Sequence, residues 1–347
     1  MKKRLKRLYK KWLGLTASLL PVLFVNRSFF STIYYLLFSN AFKREKLTVL
    51  NGKVKHIKEA KRSKASLYTL IRNTHRLEKG LLMRPRRDVF ALDFIVETMD
   101  NFENLYKFED CKSSSQIKWS HDVLNEYFKV TGSHVQLDKQ RNRFNTITST
   151  SDSQIISSIP YKRSEENRPN LSFDEFYKLT RFRRSVRWFL NKPVDRNLLD
   201  KALSAANQAP SACNRQPFEY RVLDDAELVR KAVKIPMGTA GYGHAIPVFI
   251  VIVGNLDAYF DERDRHVIYI DASLSSMSFM LALETLGLSS CAVNWPDVEH
   301  KEREMHSLLD LKDYQRPIMC MAVGYPDPEG MVAFSEKRQL DSIRRYN

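Results

Sequence analysis

Residues 247–254 read PVFIVIVG, a run with no charged or hydrogen-bonding side chain and so no face to offer water. Such a stretch, bounded by Pro247 and Gly254, is a strand buried on both faces. Its neighbours agree. Phe218–Leu223 (FEYRVL), Cys291–Trp295 (CAVNW) and Ile318–Gly324 (IMCMAVG) read as further strands, and Asp271–Leu288 (DASLSSMSFMLALETLGL) as a long helix of small and apolar residues. Ser172-Phe173-Asp174-Glu175 is a capping box that starts a helix running to about Leu179. Asp195 caps a second, Arg196–Gln208, whose Leu198, Leu199, Ala202, Ala205 and Ala206 form one apolar face.

Two stretches between these elements carry chemistry. Arg181–Phe189 reads RFRRSVRWF, with Arg183, Arg184, Ser185 and Arg187 close enough to bring three guanidiniums and a hydroxyl onto one anion such as a phosphate. After the second helix comes APSACNRQP (209–217), dense in small and amide side chains that can approach a flat ring and hydrogen-bond its polar edge.

RRSVRWF, a helix, then APSACNRQPFEYRVL, with the later strands in that order and FSEKRQL (334–340) near the end, resembles the FMN-dependent nitroreductase family over about residues 171–345. The resemblance implies an α+β fold, a central mixed β-sheet flanked by helices, in a homodimer with FMN at the subunit interface. It implies that Arg183, Arg184, Ser185 and Arg187 hold the phosphate, ribityl chain and pyrimidine edge. Ser211, Asn214 and Gln216 would reach the partner's flavin, Val293, Asn294 and Trp295 would lie beside the flavin N5 region, and Lys337 or Arg338 would return to the phosphate. NAD(P)H would reduce the flavin, and a quinone, nitro or other conjugated small molecule would reoxidise it. The flavin carries that chemistry, so no catalytic side chain or metal is called for. His266, His300 and His306 have no ligand spacing.

The resemblance leaves half of the chain to its residues. Net charge over the 347 residues is +16, with 56 Lys+Arg and 40 Asp+Glu. Residues 1–87 hold 23 bases and three acids, a net of +20; the other 260 hold 33 and 37, a net of −4. The basic run brackets apolar pieces, Leu13–Val25 and Phe29–Phe38, each shorter than the roughly 20 residues that span a bilayer. Arg27 and Pro21 also oppose one continuous span, and no cleavage site follows Val25. Residues 1–45 therefore read as a membrane-associating segment for an anionic cytoplasmic surface, or as an arm packed on the body. Nucleic acid is disfavoured, because no binding module accompanies the charge. Cys111, Cys213, Cys291 and Cys320 have no disulfide or metal spacing, which fits a reducing compartment. The expected location is cytoplasmic, peripheral on the inner face of the cell membrane.

Residues 46–165 read as mainly helical with a linker at Thr146–Asn170, and 166–347 as the FMN-binding domain. Ser66–Gly80, Val89–Leu105 and Ser120–Lys129 are its clearest helices. His75-Arg76-Leu77-Glu78-Lys79-Gly80 is either an anion contact or a solvated helix end. Two departures from the family pattern stand out. Asn294-Trp295 occupies the place of a usual acidic residue and glycine, with Trp295 either against the substrate or in the core. Only 16 residues separate Gly254 from Asp271, leaving little for a lid, so the N-terminal half is a candidate cover. Tyr242 and His244 are candidate proton donors, and Cys213 reads as a packing residue. The alternative reading is a membrane-associated flavin-fold protein with an accessory role, such as in cell-surface polysaccharide production, and little reductase turnover.

Overall fold

A computed structural model describes residues 20–25, 28–107, 114–149 and 158–347. The basic start (Met1–Trp12), most of the first apolar piece, Arg27, Cys111 and the middle of the expected linker lie outside the described residues. The chain is a mixed α+β protein built on a four-stranded sheet.

The N-terminal half is helical: α1 (Ser28–Leu37), α2 (Lys43–Ile57), α3 (Leu67–Leu82), α4 (Ile95–Tyr106), α5 (Ser115–Val130) and α6 (Val135–Thr148). Ser66 begins α3 by accepting the Thr69 N–H at 3.2 Å. α3 runs two residues past Gly80, where a Cβ would collide with the Phe90 ring. The second expected helix starts late, at Ile95, because residues 89–94 form turns with Ala91 at φ 63°. Leu70, Leu77, Met99, Phe102, Leu124 and Tyr127 meet in a core shared by α3–α6.

Ser172 caps α7 (Phe173–Phe182) through the expected box, and Asp195 caps α8 (Arg196–Ala206). There follow β1 (Phe218–Leu223), α9 (Ala226–Ala232), β2 (Val248–Asn255), α10 (Val267–Thr285), β3 (Ser289–Asn294), α11 (Glu299–Leu309), β4 (Gln315–Gly324) and α12 (Leu340–Ile343). The strands pair antiparallel in the order β1-β2-β4-β3. The parallel component of the expected mixed sheet is one isolated bridge, Ser185 to Ser290. β2 is buried on both faces, as its composition requires. Phe249, Val251 and Val253 face a core closed by α9 and α11, whereas Val248, Ile250 and Ile252 face α8 and α10.

The halves are joined by α2 and α3. The face of α2 bearing Thr48, Gly52 and His56 is buried on the turn after β2, where a Cβ on Gly52 would lie 2.6 Å from the Leu256 carbonyl. Val49 and Tyr68 pack on the small core of Leu256, Ala258, Tyr259 and Ile268.

Candidate functional site

The arginine motif begins where α7 ends. Arg183 is its C-cap, and the chain then runs extended, with the Val186 N–H donated to the Ser290 carbonyl at 3.1 Å. Leu190 donates to the Tyr325 carbonyl at 2.9 Å, so residues 183–190 are clamped between β3 and the segment after β4. That segment returns past the motif. Arg183, Arg184, Ser185, Arg187, Ala333, Ser335 and Lys337 line one cavity of about 110 Å³. Five of the expected binding residues thus meet, although some 150 positions separate Arg187 from Lys337.

Among the described residues none of these four bases meets a carboxylate in an ion pair, and the buried Nε of Arg183 has no partner. Cations gathered without counter-ions repel one another, so the arrangement suits a bound dianion such as a phosphate. The acid behind them is Glu284 on α10. Burial raises its carboxyl to about 7, against the Ser289 hydroxyl and the Arg183 charge, and its Oε1 is unpartnered. Glu284 had no signal in the sequence, since only burial makes it unusual. Ser335, not among the expected binding residues, sits in the FSEKRQL segment that carries part of the resemblance.

Arg338 does not line the cavity; its guanidinium donates to the Ser342 carbonyl at 2.7 Å. Nor do Ser211, Asn214 and Gln216. They form a self-tied loop in which Ser211 Oγ accepts the Gln216 N–H at 3.1 Å, and Asp271 Oδ2 accepts the Ala212 N–H at 3.0 Å. Cys213, Asn214 and Gln216 all have positive φ, 54°, 55° and 50°. Such a cluster of non-glycine residues stores strain of the order of 1–3 kcal/mol each, a pattern that gathers at ligand sites.

At the end of β3, Asn294 is exposed while Val293 and Trp295, the residue after the strand, lie in the core. The alternative left open for Trp295 resolves to packing: its indole N–H donates to Glu302 Oε1 at 2.8 Å, and Glu302 is paired to buried Arg316 at 2.8 Å. Tyr242 is likewise buried, with its hydroxyl 3.6 Å from Cys291 Sγ, and burial raises its pKa. The His75–Gly80 cluster is engaged within its own helical half. Glu78 accepts the Trp119 indole N–H at 2.9 Å, and Arg76 pairs with Asp93 while covering the Phe94 ring. No group of three or more metal-ligand side chains occurs among the described residues.

Comparison with known proteins places this half of the chain. Residues 180–241 and 238–325 match the family model described as "Nitroreductase family". An iodotyrosine deiodinase 1 from Pongo abelii is 24% identical over 225 residues, covering 53% of this chain and 77% of that one. A putative NADH dehydrogenase/NAD(P)H nitroreductase from Archaeoglobus fulgidus is 28% identical over 160 residues, covering 45% and 88%. An FMN reductase [NAD(P)H] from Bacillus subtilis is 26% identical over 158 residues, covering 41% and 62%. The strands, the arginine motif beside β3 and the long α10 all fall within the matched span, and so the C-terminal half of this chain is a nitroreductase-family domain.

Proposed function

We propose that this protein is an FMN-dependent oxidoreductase that draws electrons from NAD(P)H and delivers them to a small conjugated acceptor. The observation that carries the reading is the cavity where Arg183, Arg184, Arg187 and Lys337 meet Ser185 without a counter-ion. Those bases bind and orient a phosphate by charge-assisted hydrogen bonds, and Ser185 adds a donor. When bound, the flavin supplies the hydride chemistry. Relatives named FMN reductase and NAD(P)H nitroreductase support this cofactor and donor. Those named iodotyrosine deiodinase add halogenated aromatics to the quinones and nitroarenes worth testing as acceptors.

The active form in this reading is a homodimer. α10 carries apolar residues on opposite sides, with Phe279 and Leu283 in the core while Ile270, Leu274 and Met277 are 51%, 45% and 39% exposed. A helix of that kind is covered on both sides. Phe173 and Phe182 on α7, and Phe334 in the C-terminal tail, are exposed as well. A second copy over α10 would give the 211–216 loop a partner flavin to contact.

The protein also works at an anionic membrane surface, on its cytoplasmic side. α1 has no buried residue, and Phe29, Leu36 and Leu37 are exposed among the basic residues of the N-terminal segment. Its ten residues reach about 15 Å, half a hydrocarbon core, which favours lying in the interface. The one described helix long and apolar enough to cross, Glu262–Thr285, is 44% buried within the protein and contains α10.

The test is a spectrum and an anaerobic titration. Full-length protein should be yellow, bleach with NADH or NADPH, and recover its colour with menadione. Arg183→Met with Arg187→Met should lose FMN at least tenfold more readily. Flavin that is bound yet reduced by neither nucleotide would reject the enzyme reading. Protein that retains no added FMN would reject the site.

A further inference from the structure

Most arginines withdrawn from solvent in this chain are paired. Arg44, Arg76, Arg141, Arg143, Arg221 and Arg316 each meet a carboxylate. Among the described buried or half-buried arginines, four make no ion pair: Arg183, Arg184, Arg72 and Arg215. The first two line the cationic cavity. The other two sit together elsewhere, where α3 packs on the 212–214 turn.

Arg215 is 6% exposed, and its buried Nε has no hydrogen-bond partner. Its guanidinium lies 4.9 Å from the Tyr259 ring centroid, and that of Arg72 lies 5.4 Å from the Phe260 ring centroid. Adjacent aromatic rings thus hold both cations without neutralising either. Burial, then the Arg215 charge, then Arg76 hold the Arg72 pKa below its usual value, the sign of cations crowded together. The nearby acids have other partners and none forms an ion pair with either arginine: Asp271 accepts the Ala212 N–H, Asp257 is paired to Lys55, and Glu97 accepts from Asn73 Nδ2 at 2.9 Å. A buried guanidinium without an ion pair is costly, and the ring contacts offset only part of that cost for buried Arg215 and half-buried Arg72.

We infer that Arg72 and Arg215 together receive an oxyanion, a carboxylate or phosphate, carried by the small molecule that exchanges electrons at the flavin site. The assignment to that molecule rests on the function proposed above, because Arg215 lies between Asn214 and Gln216 in the loop assigned to the partner's flavin. It gives the N-terminal helical half a part in substrate selection through Arg72, one turn before the His75–Gly80 cluster. Two guanidiniums set against aromatic rings suit a planar carboxylate or a phosphate oxygen face.

The test uses the full chain saturated with FMN, which fills the other cationic cavity, with sodium benzoate and inorganic phosphate as probes. Benzoate or phosphate should raise the wild-type Tm, and Arg72→Met and Arg215→Met should each need at least tenfold more anion for the same rise. Without anion, Arg72→Met should unfold at the wild-type temperature or above, because it removes an unpaired charge; a structural arginine would give a clear fall. Stopped-flow arms identify the source of the oxyanion. A tenfold higher half-saturation for NADPH reduction, with menadione reoxidation unchanged, assigns it to the donor. The same loss for a sulfonated naphthoquinone but not for menadione assigns it to the acceptor. Anion responses equal to wild type in both variants would overturn the site. Protein that retains no FMN would instead defeat the flavin reading, while the benzoate comparison would still decide whether the arginine pair binds anions.

Discussion

Lys55 Nζ on α2 lies 2.6 Å from Asp257 Oδ2, in the turn after β2, and donates also to the Tyr314 hydroxyl at 2.9 Å. This contact fastens the N-terminal half to the nitroreductase-family domain. Asp257 is 3% exposed and its Oδ1 is unpartnered, so Lys55 is its principal neutralising partner. Burial already holds the Asp257 carboxyl above its usual range. Lys55→Met should destabilise by about 3 kcal/mol, the low end for breaking a buried pair, because the lysine is itself one-third exposed. At low pH the stranded carboxyl can take up a proton, so the loss should be smaller at pH 5 than at pH 8. Urea unfolding at both pH values measures it; equal losses would exclude a stranded Asp257 charge as the cause.

Gly52 sets how closely α2 approaches the body. A Cβ there meets the Leu256 carbonyl carbon and oxygen at 2.6 Å, and backbone cannot rotate aside as a side chain can. Gly52→Ala should therefore lift α2 at a cost of about 1–3 kcal/mol, exceeding the gain in helix propensity. The expected result is faster amide exchange along α2 with β2 and β4 still protected. Unchanged exchange along α2 would mean that the turn yields.

These two contacts also mark what the sequence could not disclose. PVFIVIVG had to be a two-sided buried strand, and it is, because its residues permit nothing else. The arginine motif and Lys337 were legible as cation donors, and the fold brings them to one cavity. Trp295 was open between pocket and core, because an indole suits both until its N–H partner, Glu302, is known. α2 is amphipathic on two sides, one face against Leu256 and the other with Leu47 and Leu50 exposed, so its period gave no clear helix signal. Arg72 was invisible for a simpler reason. Unpaired and paired arginines read alike until their neighbours are known.

The buried pair behind β4 makes a third prediction. Arg316 and Glu302 are each 3% exposed and joined at 2.8 Å, and the same Glu302 oxygen accepts the Trp295 indole N–H. Glu302→Ala should destabilise by about 3–5 kcal/mol, since it leaves a guanidinium buried beside only the half-exposed Asp297. The double variant Glu302→Leu with Arg316→Met should recover most of that loss, because two well-packed apolar groups replace the ions. A double variant no more stable than the single one would show that packing volume, not stranded charge, sets the cost.

Glu284 provides a pH test at the cationic cavity itself. Its carboxyl titrates near 7 in the folded chain against an ordinary value of 4.5, chiefly because it is buried, with the Ser289 hydroxyl and the Arg183 charge pulling the other way. A raised acid pKa means that the folded protein holds a proton the unfolded chain has released. The resulting contribution to stability is complete below about pH 4.5 and is lost as pH rises through about 7. Glu284→Gln has no proton to lose there, so the variant should gain on wild type from pH 5 to about pH 7, and the difference should level off by pH 8. Chemical unfolding across that range, with FMN held saturating for both proteins, measures the divergence. Curves that stay parallel would place the titration of Glu284 outside the window, and with it the claim that burial rather than Arg183 governs this carboxyl.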